Sequence, residues 1–421
     1  MRPRSGLGAG NATSPQRDAG DPGSVASGDA GPADTGTSDA GSTDAGGPFV
    51  GPAETWCVPD GGLGPGPLSE AEPGLSTECS AIDPAGPGAP LVVEESAGMG
   101  WGCWDATSDR AGHVALGSYT HESNTGMVAG VGYFIWSPDG KTRVGYAGGV
   151  PFLPLADAFV GRITPWPGDF PYTTELVFSA APTETRIADE EIAVASSPGA
   201  GAVALDAPWN VDRSFLTAHR FDDGGRLIAD ADVIEGPRAE RPRQFGVGMR
   251  PDGWAAAVFS GEPQGDPRGL YARWIDPSGA PSGPVLATGA AAGNPPWQSP
   301  ISRAEAMWLR PLHDGSLALR VDGKWVARIE RGGTRPPSAW LAALDGRDVI
   351  ALPHGYATPL TSDASGCVPL VELRAPAGNL CRRLALHGAQ RADVGADGTL
   401  IVLSHDQPWN FAFRFWSGLL R

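Results

Sequence analysis

The chain has 421 residues and a formal net charge of −17, and it contains 60 glycines, 41 prolines and 14 tryptophans. It has no run of five or more Lys or Arg, so neither nucleic acid nor an anionic membrane surface is expected as a partner, because both require clustered basic side chains. No window of about 18 apolar residues occurs, so no transmembrane span is expected. The first residues also lack the apolar core of a signal peptide, and we expect either that a targeting segment is missing upstream or that the start is misassigned.

Residues 1–52 consist mainly of Gly, Ala, Asp, Pro, Ser and Thr, and their only aromatic residue is Phe49. Such a segment buries too little apolar surface to offset its ordering entropy, so we predict a disordered linker. The tripeptide Asp-Ala-Gly recurs at 18–20, 29–31, 39–41 and 44–46. This pattern resembles the DAG-rich linkers that follow the lipid-modified cysteine in surface lipoproteins of some high-GC soil bacteria. The resemblance implies a protein that is secreted or tethered to the outer surface.

Residues 53–94 are predicted to form a loop-rich connector that contains Cys57 and Cys79, a plausible local disulfide pair. The other cysteines are Cys103, Cys367 and Cys381, and the sequence leaves the pairing open. No CxxC motif occurs, so neither zinc nor thioredoxin-like redox chemistry is predicted.

Two stretches of the remaining chain, residues 191–236 and 244–289, align with each other. Each reads as four short strands separated by turns rich in Gly and Asp, and a repeat of about 50 residues with this content is typical of a four-stranded propeller blade. We therefore predict an all-β fold with a β-propeller over residues 95–421. Tandem β-sandwiches, which also use many short strands, are the alternative.

The number of blades follows from the glycines expected in the turn between strands 1 and 2. These are predicted at 112, 201, 253, 315, 346 and 398, and the gap between 112 and 201 leaves room for one further blade. The sequence thus indicates six or seven blades, with seven favoured. The last blade lacks a fourth strand, and residues 91–95 are predicted to supply it and close the ring.

The best repeats, Gly253–Phe259 with Gly269–Gly279, resemble the β-propeller repeats of many secreted bacterial proteins. That scaffold hosts adhesins, lectins, sensors and enzymes, so the resemblance does not assign a function.

The loops between strands 2 and 3 of each blade are predicted to carry the site, because they are longer and chemically richer than the tight glycine turns on the opposite face. Two of them are nearly identical in sequence: Asp206, Trp209 and Asn210 recur as Asp406, Trp409 and Asn410. An indole can stack on a sugar ring while the carboxylate and amide bind hydroxyls. The alternative is structural, with Trp capping the blade edge and Asp and Asn making turn bonds.

Glu262 and His405 complete the candidate ligand-binding residues on this face. No cofactor is expected, although acidic loops that clustered here could bind Ca²⁺. No catalytic or metal motif is present, so no catalytic or metal-ligating residue is predicted.

Three functions remain open. The favoured one is a non-catalytic extracellular surface module, expected to be monomeric, that binds a glycan or an envelope protein. The second is a carbohydrate-active enzyme using carboxylates such as Asp206, Glu262 or Asp406. The third is a structural envelope protein.

Overall fold

The computed structural model contains seven antiparallel sheets, and all of its described residues belong to the compact unit Val50–Arg421. The described residues are 68–73, 91–96, 104–121, 128–141, 143–147, 150–163, 174–179, 187–189, 192–207, 216–234, 244–261, 269–292, 307–344, 347–360, 370–386, 391–407, 410–416 and 420. In this part of the chain, no helix is long and apolar enough to cross a bilayer.

We number the sheets as blades 1 to 7 in chain order. Blade 1 contains β3 (Trp104–Ser108), β4 (Val114–His121), β5 (Val128–Trp136) and β6 (Arg143–Ala147). Blade 2 contains β7 (Val150–Pro154), β8 (Phe159–Ile163), β9 (Thr174–Phe178) and β10 (Ile187–Asp189). Blade 3 contains β11 (Ile192–Ser197), β12 (Gly201–Asp206), β13 (Leu216–Phe221) and β14 (Leu227–Ile234). Blades 4 and 5 contain β15 (Phe245–Met249), β16 (Ala255–Ser260), β17 (Gly269–Ile275) and β18 (Pro281–Ala291); and β19 (Met307–Pro311), β20 (Leu317–Val321), β21 (Lys324–Glu330) and β22 (Gly333–Arg335). Blade 6 contains β23 (Ile350–Leu352), β24 (Gly355–Leu360), β25 (Leu370–Arg374), β26 (Leu380–Leu386) and β1 (Leu68–Pro73). Blade 7 contains β27 (Arg391–Val394), β28 (Leu400–Gln407), β29 (Asn410–Trp416) and β2 (Leu91–Ser96). One short helix, α1 (Ala339–Ala342), lies between blades 5 and 6.

The sheets form a closed ring. The inner strands of successive blades contact one another, with β24 making the contact where blade 6 meets blade 7, and β27 contacts β3 to complete the circle. The seven-bladed propeller is therefore confirmed, and the gap between Gly112 and Gly201 holds blade 2.

Closure of blade 7 uses a strand from the N-terminal side of the propeller, as predicted. β2 pairs antiparallel with β29 in a register that runs from Leu91 opposite Phe415 to Ser96 opposite Asn410. A second N-terminal strand, β1, pairs with β26 and gives blade 6 a fifth strand, which the sequence did not predict.

The apolar core is divided among the interfaces between blades. The second strand of a blade is covered on both sides, and every residue of β16 is buried. Such a strand reads as a continuous apolar run, whereas the third strand alternates, as in β13. One cluster joins blades 3 and 4 through residues such as Leu205 and Phe259, and another joins blades 4 and 5.

Close packing around the axis requires small residues on the inner strands. A Cβ placed on Gly248 of β15 would lie 2.3 Å from Cβ of Leu309 on β19, nearer than carbon atoms can approach. The glycine thus lets two inner strands meet near the narrow centre of the ring.

One predicted turn was wrong. Gly346 was expected between the first two strands of blade 6, but that turn consists of Pro353 and His354, between β23 and β24. The segment before β23 instead includes α1.

Candidate functional site

The predicted site residues lie in three different blades. Asp206 is the last residue of β12 in blade 3, and Trp209 and Asn210 follow it outside the described residues. Glu262 also lies outside them, in the connection between β16 and β17 of blade 4.

The blade 7 copy of the motif has a different setting. His405 and Asp406 belong to β28 and Asn410 begins β29, so only residues 408–409, including Trp409, separate the two strands. The matching connection in blade 3 runs from residue 207 to residue 215. Near-identical sequences therefore accompany a connection of two residues in one blade and of nine residues in the other.

Ring geometry separates these residues further. Blades 3 and 4 are neighbours, so Asp206 and Ser260 end the second strands of adjacent blades. Blade 7 is three positions from blade 3 in one direction, with blades 1 and 2 between them, and four positions in the other. Asp206 and Asp406 therefore belong to blades that are not neighbours in the ring.

Asp206 is part of a polar cluster that covers the outer half of one face of blade 3. Register places Asp206 opposite Thr217 and places Ala204, His219 and Asp230 in line on β12, β13 and β14. We call Asp206, Thr217, His219, Asp230 and Asp232 the blade 3 polar face. Nearer the axis, the same side of the sheet is apolar and packs against blade 2.

His219 is the centre of this face. Its Nδ1 lies 2.9 Å from Oδ1 of Asp230, and its Nε2 lies 3.2 Å from Oδ1 of Asp206. The second contact is at ion-pair distance but does not meet hydrogen-bond geometry, although both atoms are buried. Thr217 completes the arrangement by donating from Oγ1 to Oδ1 of Asp232, over 3.1 Å.

The charge state of His219 depends on these carboxylates. Burial lowers the pKa of the imidazole, but the interactions with Asp206 and with Asp230 outweigh burial, so the pKa of His219 is raised. Protonated His219 would bridge the two carboxylates.

We predict that His219→Gln reduces the pH dependence of folding stability. Because the folded-state pKa is raised, the stabilising contribution of His219 is fully present below its unfolded pKa of about 6.5 and is lost as pH rises through the folded-state value. Urea unfolding should therefore show that the variant's free energy of unfolding falls further below that of the wild type at about pH 5.5 than at about pH 8.5. His354→Gln, at an exposed histidine in a blade 6 turn, is the control. A deficit that is equal at both pH values would contradict the prediction.

The turns on the opposite face follow ordinary turn chemistry. Oδ1 of Asp139 accepts from Ser137 Oγ and Lys141 N, and Oδ1 of Asp222 accepts from the amides of Gly224 and Arg226. The carboxylates of these aspartates therefore close their own hairpins.

A second polar cluster lies on this turn face, where blades 1 and 2 meet. Asp109 and His113 come from the β3–β4 turn and Asp157 comes from the β7–β8 turn. Nδ1 of His113 is 2.8 Å from Oδ2 of Asp109 and 3.7 Å from Oδ1 of Asp157. Burial raises the pKa of Asp109 despite the hydrogen bonds from His113.

Sequence reasoning missed His219, Asp230 and the whole Asp109 cluster. A signal for the first two was present, since the alternation Asp230-Ala-Asp232 on the fourth strand matches Thr217-Ala-His219 on the third. Finding the second cluster requires knowing which turns adjoin across a blade boundary.

No family model and no curated protein matches the chain. Among solved structures, the β-propeller domain of the trilobed protease from Pyrococcus furiosus is 8% identical with a TM-score of 0.46, and the match covers 79% of this chain and 96% of that one. The acylaminoacyl peptidase of Pyrococcus horikoshii is 10% identical with a TM-score of 0.42; the match covers 71% of this chain but about half of the peptidase, 48%. An α-L-arabinofuranosidase of Fusarium graminearum is 10% identical with a TM-score of 0.34, over 71% of this chain and 97% of that one. These likenesses concern the propeller fold, and identities this low assign no activity to the chain.

Proposed function

We propose that the protein is a non-catalytic binding module of the cell exterior that recognises a glycan through blade 3. The observation that carries the proposal is the blade 3 polar face, which lies at the base of the loop bearing Trp209 and Asn210. The location outside the cell rests on the resemblance of the Asp-Ala-Gly repeats to surface lipoprotein linkers.

The chemistry of the polar face suits a ligand rich in hydroxyl groups. Asp230 and Asp232 are exposed, and each uses Oδ1 in a bond to a neighbouring side chain, so the carboxylates are held in fixed orientations. Ionised carboxylates accept hydrogen bonds from hydroxyls, and fixed acceptors lower the ordering entropy that binding must overcome.

Asp206 has a different role from the direct ligand contact that its sequence motif indicates. Its side chain is only 14% exposed and one of its oxygens faces His219, so it positions the start of the loop more than it contacts ligand. In the proposal, Trp209 supplies the stacking surface, and Asp230 and Asp232 supply the acceptors.

The proposal is tested by screening the full chain on a glycan array, with and without calcium. We expect specific retention that falls at least about tenfold in Trp209→Ala, because stacking on one aromatic face contributes more than about 1.4 kcal/mol. Asp230→Asn should weaken retention, while Asp139→Asn, an exposed turn carboxylate of blade 1, should not. Circular dichroism melting would verify that each variant is folded. Retention that is unchanged in Trp209→Ala, or absent in the folded wild type, would refute the proposal.

An enzymatic role would require two of the predicted carboxylates to act together. Glycoside hydrolysis uses two carboxylates that flank one bond. Asp406 belongs to blade 7, Asp206 to blade 3 and Glu262 to the β16–β17 connection of blade 4, so any such pair combines carboxylates from different blades. Release of product from a bound glycan, abolished by Asp206→Asn, would favour hydrolysis over binding.

A further inference from the structure

The cluster of Asp109, His113 and Asp157 combines nitrogen and oxygen donors from two blades. One donor atom from each residue lies within 4.8 Å of the other two. The group is on the turn face, where the tight hairpins between strands 1 and 2 emerge, opposite the longer loops between strands 2 and 3.

Two of the three donors are fixed by their own turn. The carboxylate of Asp109 is completely buried, and its Oδ1 accepts from the amide of His113 over 2.9 Å. The Asp109 amide in turn donates to the carbonyl of His113, 3.1 Å away. These bonds leave Oδ2 of Asp109 directed at the imidazole Nδ1.

The third donor comes from a neighbouring hairpin that is also anchored. In the β7–β8 turn, the amide of Leu155 donates to the Ala158 carbonyl, and the amide of Ala156 donates to Oδ1 of Asp223 in blade 3. Asp157 lies between these anchored residues with its side chain 81% exposed, yet it is placed beside His113.

We propose that Asp109, His113 and Asp157 bind a divalent first-row transition-metal ion, with Zn²⁺ as the representative probe. Ligand atoms about 2.1 Å from a tetrahedral zinc ion lie about 3.4 Å apart, and the two contacts of His113 bracket this spacing. An imidazole donor favours such ions over Mg²⁺ and Ca²⁺, which prefer all-oxygen sets. The ion takes the place of the proton between Asp109 and Nδ1, and water completes its coordination on the exposed side.

Such an ion would connect blades 1 and 2 close to the point of ring closure. Ser108, next to Asp109 in the chain, donates to Oδ1 of Asp397 in blade 7. The same turn of blade 1 therefore adjoins both neighbouring blades, and metal binding there is expected to stabilise the ring.

The test is titration of the chelator-treated full chain with Zn²⁺ by calorimetry, and with Co²⁺ by visible absorption. We expect one equivalent to bind with histidine coordination and to raise the melting midpoint, with no comparable rise from Mg²⁺ or Ca²⁺. Asp157→Asn should weaken the binding of that equivalent at least about tenfold, because it removes one charged ligand. The side chain is exposed, so folding should not need it. His113→Gln should abolish it.

Matched controls separate this site from other zinc-binding groups. Asp139→Asn removes an exposed turn carboxylate of blade 1, and His354→Gln removes an exposed histidine from the corresponding turn of blade 6. Both should bind as the wild type does. The proposal would be overturned if Asp157→Asn and His113→Gln had the same zinc affinity and cobalt spectrum as the wild type.

Discussion

A truncated chain that starts at residue 98 should be far less stable than one that starts at residue 75. The shorter chain lacks β2, whose six residues pair with β29 and complete blade 7. If each lost backbone hydrogen bond contributes about 1 kcal/mol, removal of this strand costs about 5 kcal/mol, a large share of the stability of an ordinary domain. The exposed β29 edge should also promote aggregation.

Two truncated chains that keep β2 serve as internal controls. A chain of residues 53–421 loses only the predicted linker and should unfold as the full chain does. A chain of residues 75–421 also loses β1, which adds a fifth strand to the outside of blade 6 and takes no part in closing the ring. Its pairing is interrupted between Ala71 and Pro73, so a loss of about 2 kcal/mol is expected.

Urea unfolding and size-exclusion chromatography would rank the three truncations. A synthetic peptide of residues 89–98, added to the 98–421 chain, should restore part of its stability by occupying the vacated edge. Equal midpoints for the 75–421 and 98–421 chains would show that β2 does not hold the ring closed.

The propeller could be predicted because its signals are local. Hairpin aspartates and glycines, such as Asp252 with Gly253, recur at fixed places in each repeat, and they form the expected turns. Gly346 failed as a marker because the sixth blade makes its first turn with Pro353 and His354, so the glycine that precedes the first strand suggested the wrong register.

The polar clusters depend on pairings that the sequence does not show. His219 meets Asp230 only through the register of β13 with β14, which includes irregularities at both ends. Asp109 meets Asp157 only because blades 1 and 2 adjoin at their turns. Composition and spacing identify the strands, but these contacts depend on how strands and blades are placed against one another.

The largest single-residue effect is expected at Glu372, in the third strand of blade 6. This carboxylate is 3% exposed, and it accepts hydrogen bonds from Arg374 Nη2 at 2.6 Å and Arg383 Nε at 3.0 Å. Arg347 approaches to 3.5 Å from the segment that precedes β23. One buried anion therefore ties together a strand, its neighbour and the link between two blades.

Glu372→Gln should destabilise the protein by about 3 kcal/mol, because it leaves cations beside a buried group that no longer carries charge. The estimate is at the lower end for a buried pair since Arg383 is 43% exposed and can turn to solvent. For a domain of this size the melting midpoint should fall by about 4 °C. Asp252→Asn, which breaks the exposed pair with Arg250, should cost less than about 1 kcal/mol.

The pH dependence distinguishes lost charge from lost packing. Burial raises the pKa of Glu372, but the hydrogen bonds from Arg374 and Arg383 outweigh it, so the pKa is lowered. The stabilising contribution is thus present above the unfolded carboxyl pKa of about 4.3 and is lost as pH falls through the folded-state value. Unfolding curves of the wild type and Glu372→Gln should converge as pH is lowered below about 4. If the variant's free energy of unfolding stayed below that of the wild type by the same amount across this range, the glutamate would act through its shape and not through its charge.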